Sequence, residues 1–289
     1  TGGEDGSLQG MLEMLDLPYT SSNVLGSAVG QDKVIMKEIL EYEHVPMVPW
    51  FFVYSNDITN TYKDIEAKAE MIGYPLIIKP ANLGSSIGIE IVHKKDELKS
   101  ALSECAKYDD KLVIEKMVKQ LKEVNISVMG NSKDAKVSAI EEVMKGDEFL
   151  SFSNKYLGGG KGTKGSKPTK VAPTKGSKGM ASASRIVPAR LDGNQQKDIE
   201  EYALKSFKAL NASGAVRIDF MIDKEDGSVY VNEINSIPGS LAFYLWKEVG
   251  VDFREECDML INNALNVYRE KKKKVRSFDT NILSNYKEN

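Results

Sequence analysis

A chain of 289 residues is long enough for a sizeable core and for two or more domains. With 41% hydrophobic and 28% charged residues it has the balance of a globular protein, and a formal net charge of -3 gives no overall case for nucleic acid. No apolar run reaches bilayer length and no signal peptide is present, so no membrane segment and a cytoplasmic location are expected. The only cysteines are Cys105 and Cys257 and the only histidines His44 and His93, which argues against a disulfide framework, a zinc site or a Ser-His-Asp triad. Any metal should be held by oxygen.

The first six residues, Thr1 to Gly6, form a glycine-rich loop, and Leu8 to Leu15 follows with helical spacing and Ser7 as a cap. A loop-to-helix start of this kind normally follows a strand in an α/β unit, so the chain reads as N-terminally truncated. Asp32 should cap a helix from Lys33 to Tyr42. Val45 to Val53 reads as extended, and Tyr62 to Ile72 as an amphipathic helix ended by Gly73 and Pro75. Leu76 to Ile78 is a short buried strand leading into Lys79.

The next segment, Ala81 to Gly88, holds Gly84 and Gly88 around Ser85 and Ser86. Flexible backbone amides, two hydroxyls and the upstream Lys79 ammonium are what a polyphosphate requires. The P-loop pattern is not matched, since no Lys-Ser/Thr pair follows the last glycine, and a plain loop between strands fits as well. Ile87 to Val92 alternates as a strand, and Asp96 should cap a helix from Glu97 to Lys107. Val113 to Val118 is a strand with a charged pair inside, Glu115 and Lys116. It is either an edge strand or a segment facing a nucleobase. Glu123 to Met129 and Ala135 to Met144 read as further strands.

Lys161 to Lys178 is rich in Gly, Lys, Ser, Thr and Pro and repeats Thr-Lys-Gly-Ser-Lys at 163–167 and 174–178. Such composition cannot bury enough apolar surface to order itself. A flexible insertion or a mobile basic loop over an anionic site is expected. A nucleic-acid arm is disfavoured, because the basic run is short and lacks aromatics. Asp198 to Leu210 should be an amphipathic helix and Phe253 to Lys271 a long closing one.

The stretch Arg217 to Gly239 carries the most chemistry. Val216, Ile218, Phe220 and Ile222 alternate with Arg217, Asp219 and Met221, the period of a half-buried strand. The segment Lys224 to Gly227 is a turn signal, and a second strand runs back from Val229. Glu233 and Asn235 are two apart and share a face, and a hairpin can set Asp219 opposite them. Two carboxylates and an amide oxygen suit Mg2+, which takes its remaining ligands from water and phosphate. Arg217 beside them suits an anion that gains charge during reaction. An acidic, solvated hairpin face is the competing reading of this stretch alone.

Taken together, GGEDGSLQGMLEMLDLPYTSS, KPANLGSSIG, NKY at Asn154 to Tyr156, RIDFMID and NEINSIPG resemble the D-alanine–D-alanine ligase family of the ATP-grasp superfamily, in order and spacing over nearly the whole chain. The resemblance implies an α/β fold, α+β in its ATP-grasp part. It consists of the remnant of an N-terminal open-sheet domain (1–22), a central ATP-grasp subdomain (23–114) and a C-terminal ATP-grasp subdomain (115–289) with a flexible loop at 151–180. It also implies two Mg2+ ions, or Mn2+, held by Asp219, Glu233 and Asn235. Lys33, Lys79 and Lys155 would hold the ATP phosphates, with the Ser85-Ser86 loop as a cover and Ser85 reaching Tyr156. Glu115 with the Lys116 to Val118 backbone would read adenine, between Met117 and Phe149, and Glu123 would take the ribose. Arg217 and the Gly239 amide would form the oxyanion site.

Glu4 falls in the matched N-terminal motif and is expected at the substrate. Where many members carry a serine for the second substrate's carboxylate, this chain offers Ser240 or Tyr244. The implied reaction joins two D-alanines at the expense of ATP for peptidoglycan. The alternatives are a D-alanine–D-serine ligase and a nucleotide-binding fragment inactive without its N-terminal segment. Small-molecule substrates, no nucleic acid and a homodimer complete the expectation.

Overall fold

The computed structural model describes residues 3–144 and 184–275. Two antiparallel sheets carry it. The first has four strands in the order β1 (Trp50–Tyr54), β4 (Lys111–Lys116), β2 (Leu76–Pro80), β3 (Glu90–Val92). The second has five, in the order β7 (Ser184–Ile186), β6 (Ala135–Met144), β5 (Leu121–Gly130), β8 (Gly214–Asp223), β9 (Val229–Asn235). The helices are α1 (Ser7–Met14), α2 (Val24–Gln31), α3 (Lys33–Tyr42), α4 (Ile58–Ile72), α5 (Leu98–Cys105), α6 (Gly193–Ala209), α7 (Phe243–Lys247) and α8 (Phe253–Lys272). Among the described residues no helix is long and apolar enough to cross a membrane.

Period-2 patterning decides the second sheet. Even-numbered residues of β5 and β8 (Val124, Ile126, Val128; Val216, Ile218, Phe220, Ile222) face a core completed by Ile199, Ala203 and Phe207 of α6. The odd-numbered positions are therefore thrown to the other face, where the polar residues lie. Gly227 takes φ 81 in the β8–β9 turn, as the turn signal requires. Gly214 has φ 71, and a Cβ there would meet the Thr20 carbonyl oxygen at 1.9 Å, so only glycine lets the N-terminal segment lie against the start of β8.

Several boundaries differ from the sequence reading. The charged strand β4 is not an edge: it lies between β1 and β2, with Glu115 opposite Trp50 and Ile77. The α4 helix begins at Ile58, four residues before the expected start, and α6 begins at Gly193 rather than at Asp198, with Asp192 at its cap. Asp32 does cap α3, accepting from the Val34 and Ile35 amides, whereas Ser7 lies inside α1 with its amide bonded to Asp5.

The α3 helix is the wedge between the sheets. Its Met36 and Leu40 enter the core of the second sheet. Its Val34 packs on Ala81 and Val113 of the first. Lys33 and Lys37, four apart on one stripe, are both buried.

Candidate active site

Strand register builds the site across the second sheet. Glu233 lies opposite Asp219, Asp219 opposite Asn125, and Asn125 opposite Glu141. One row of polar side chains thus crosses four strands on the face away from the core. In the adjacent row Asn235 pairs with Arg217 and Arg217 with Ser127. A β-bulge between Asp219 and Phe220 leaves Asn232 as the extra residue of β9, and its side-chain oxygen accepts from Lys79 Nζ at 3.1 Å.

Arg217 and Asp219 form a two-point ion pair, Nε to Oδ1 at 2.7 Å and Nη2 to Oδ2 at 2.8 Å, and Asn235 Nδ2 donates to the same Oδ2 at 3.2 Å. Burial raises the Asp219 carboxyl above its ordinary range, and the Arg217 charge opposes that rise without cancelling it. Burial alone would lower the Arg217 guanidinium, but Asp219 outweighs it and the net shift is upward. A desolvated carboxylate beside Glu233 thus still lacks positive charge. Among the described residues no three His, Cys, Asp or Glu gather into a metal-binding cluster. Two carboxylates and one amide fit Mg2+, which completes its shell with water and phosphate oxygens, better than a metal caged by protein alone.

Across the cleft, Glu115 is 1% exposed and receives two ammonium groups, Lys37 at 2.8 Å and Lys79 at 2.5 Å. Burial pushes its carboxyl up, but the two lysines more than offset this and hold it at about 2. Lys79 therefore joins the first sheet to Asn232 of the second. Lys33 Nζ donates to the Leu83 carbonyl at 2.6 Å, tying α3 to the chain before Gly84, and its pKa is lowered by burial with Glu233 opposing. Ser85 and Ser86 both take left-handed backbone, φ 57 and 60, a conformation that costs of order 1 kcal/mol or more per residue and tends to be kept at binding loops.

Lys116 donates its side chain to the Gly73 and Tyr74 carbonyls and its amide to Pro49. The Met117 amide donates to Pro75, and Val118 is buried with Val48 and Met221 where the two sheets meet. Glu123 is on the same face as Asn125, one strand from Met221. The Glu4 carbonyl accepts from Ser236 Oγ at 3.4 Å, so the N-terminal loop does reach the end of β9. Gly239 and Ser240 are exposed, and Ser240, Leu241 and Ala242 are three consecutive left-handed residues, φ 53, 57 and 59. Tyr244 is not aimed at solvent: its hydroxyl donates to Glu141 Oε1 at 2.9 Å. Phe149, Lys155 and Tyr156 lie outside the described residues.

The site residues that sequence reasoning missed are Lys37, Asn125, Glu141, Arg185 and Asn232. Lys37 could have been found as the i+4 partner of Lys33, and Asn125 and Glu141 from their odd parity in strands whose even residues are apolar. A bulge and a short edge strand leave no such signature, so Asn232 and Arg185 carried no signal.

The model of the D-ala D-ala ligase C-terminus matches residues 39–186 and 174–262. A D-alanine–D-alanine ligase of Thermosipho africanus is 39% identical over 285 residues, covering 97% of this chain and 70% of the relative. The solved VanG D-Ala:D-Ser ligase from Enterococcus faecalis superposes with a TM-score of 0.73 at 27% identity, over 91% of this chain and 70% of that one. The Bacillus anthracis D-alanine–D-alanine ligase complexed with ATP gives 0.70 at 28%, over 93% and 77%.

Proposed function

The chain belongs to the D-alanine–D-alanine ligase family, and from that premise we propose that it is an ATP-dependent carboxylate–amine ligase joining two D-alanines for peptidoglycan. The observation that carries the reading is the row Glu233–Asp219–Asn125–Glu141 flanked by the Arg217 ion pair and faced by Lys33 and Lys79. In the proposed reaction the γ-phosphoryl of ATP passes to the carboxylate of the first D-alanine, leaving ADP. The amine of the second attacks the acyl carbon, the amide bond forms as the C–O bond to phosphate breaks, and the amine proton is lost.

Each residue has work in that sequence. Lys33 and Lys79 act as point charges for the phosphates. Asp219, Glu233 and Asn235 would hold Mg2+, which supplies charge neutralisation between the phosphate oxygens. Arg217, fixed by Asp219, faces the charge that develops at the acyl carbon's oxygen, and a donor so placed typically contributes a factor of ~10²–10³ in rate. The left-handed Ser85-Ser86 loop covers the nucleotide. Catalysis is then mainly positioning and electrostatics. The same reading makes the protein cytoplasmic, where ATP is available.

The test is phosphate release from ATP and Mg2+ with D-alanine, the product weighed by mass spectrometry and L-alanine as control. D-alanine-dependent release with the D-alanyl-D-alanine mass is expected, and Asp219→Asn should lower it at least ~10²-fold. ATP turnover indifferent to D-alanine would refute the reading.

A further inference from the structure

The Ser85-Ser86 loop is closed at its neck by two adjacent residues that the reaction described so far does not use, Tyr108 and Asp109, in the short link between α5 and β4. Asp109 Oδ2 accepts from the Asn82 amide at 2.6 Å and from Asn82 Nδ2 at 3.1 Å. Its Oδ1 accepts from Asn82 Nδ2 at 3.3 Å and from the Lys111 amide at 3.2 Å. Further along, the chain passes directly against Tyr108: a Cβ on Gly88 would stand 2.8 Å from its ring. Both limbs of the loop thus close on one dipeptide, with Gly84 to Ile87 held between them.

What they hold is a strained turn. The Ile87 amide donates to the Gly84 carbonyl at 3.2 Å, and the central residues Ser85 and Ser86 have φ 57 and 60. Primed turns of this kind are normally built from Gly, Asn or Asp, and serines keep such backbone only where the surroundings enforce it. The limb fixed by Asp109 is also the one that Lys33 grips. Lys33 donates its amide to the Ala81 carbonyl at 3.0 Å and its Nζ to the Leu83 carbonyl at 2.6 Å, and Asn82 stands between the two. Burial lowers the Lys33 ammonium, and Asp109 is one of the carboxylates that oppose this, with Glu233 the largest. Lys111, next along, pairs its ammonium with Asp32, the cap of α3, so the same link also seats the helix that carries Lys33.

Resting on the nucleotide-binding part of the ligase reading, we propose that Asp109 is a positioning residue for the ATP phosphates, acting through Asn82 and backed by Tyr108. It touches no substrate. It sets the turn and the Lys33 ammonium before ATP arrives, so that ordering them does not subtract from the binding free energy. A carboxylate that served only to start β4 would bond mainly to β4. Here three of the four hydrogen bonds run to Asn82 and one to Lys111.

The experiment pairs calorimetry of ATP with Mg2+ on the full chain with hydrogen exchange of the segment 81–89 in nucleotide-free protein. Asp109→Ala should weaken ATP about 10-fold and speed exchange in that segment, while α5 and β4 stay as protected as in the parent. Asp109→Asn should recover most of the affinity, since its carboxamide oxygen can accept from the Asn82 amide. Asn82→Ala should weaken ATP about 3-fold and add nothing to Asp109→Ala, because both act through one contact. Should Asp109→Ala loosen β4 as well, Asn82→Ala decides, since it leaves the Lys111 contact intact. Unchanged ATP affinity in Asn82→Ala or Asp109→Ala, unchanged loop exchange, or additive losses overturn the proposal while the ligase reading stands. A parent that binds ATP but forms no dipeptide overturns the ligase reading and leaves this one. A parent that binds no ATP overturns both.

Discussion

Glu256 sits in the first turns of α8 with its side chain fully buried and neither carboxyl oxygen hydrogen-bonded among the described residues. One turn on, Leu260 packs with Trp246, Met129 and Ala215, so Glu256 occupies a position that packing would give to a hydrocarbon. Burial raises its carboxyl to about 7. The native state therefore holds a proton that the unfolded chain releases near 4.5, and between those values the folded protein binds more protons. Stability is full below the lower value and falls as pH rises through the upper one. At neutral pH and above, the cost is about 1–3 kcal/mol. Glu256→Leu is expected to raise the melting temperature several degrees at pH 8 and much less at pH 5, measured by scanning calorimetry at both. An equal gain at both pH values would mean that packing, not ionisation, sets the difference.

At the scale of elements, caps and cross-strand pairs decide what forms. The α6 helix packs against β5, β6, β8 and β9 of the second sheet, and its first amides are satisfied by Asp192, which accepts from Asn194 at 3.0 Å and Gln195 at 2.8 Å. Asp192→Ala should cost about 1 kcal/mol, read as a lower urea midpoint with an unchanged slope. A changed slope would point instead to loosening of the helix against the sheet. Of these elements, the β8–β9 hairpin was legible in the sequence, because period-2 alternation and a glycine turn are local signals. The sharing of one face by Asp219, Glu233 and Asn235 followed from the same parity. The interior place of β4 was not legible: a strand carrying Glu115 and Lys116 looks like an edge until α3 delivers Lys37 to neutralise the carboxylate. Non-local pairing of this kind, like Arg185 reaching Glu141 from a three-residue strand, leaves no trace in spacing. The register shift that frees Asn232 is invisible for the same reason.

At the scale of the whole molecule, the site lies where two sheets with separate cores face one another. The described contacts that join them include α3, which puts Met36 and Leu40 into one core and Val34 against the other sheet; the small apolar cluster of Val48, Val118 and Met221; and Lys79, which bridges Glu115 and Asn232. A nucleotide held by Lys33 and Lys79 on one side and by Asp219 and Glu233 on the other adds contacts across that seam. A ligand that binds only the folded state stabilises it by about 2.7 kcal/mol at a hundred times its dissociation constant. For a chain of this size that amounts to roughly 2–4 °C per kcal/mol. ATP with Mg2+ should therefore raise the melting temperature by at least ~5 °C in differential scanning fluorimetry. ATP with a chelator should raise it less, because the carboxylates are then left facing the phosphates without a cation between them. Asp219→Asn should lose the Mg2+-dependent part of the shift and keep the part that ATP alone supplies through the lysines. If the variant keeps the whole shift, the cation is not held at Asp219, and the joining of the two sheets by nucleotide rests on Lys33 and Lys79 alone.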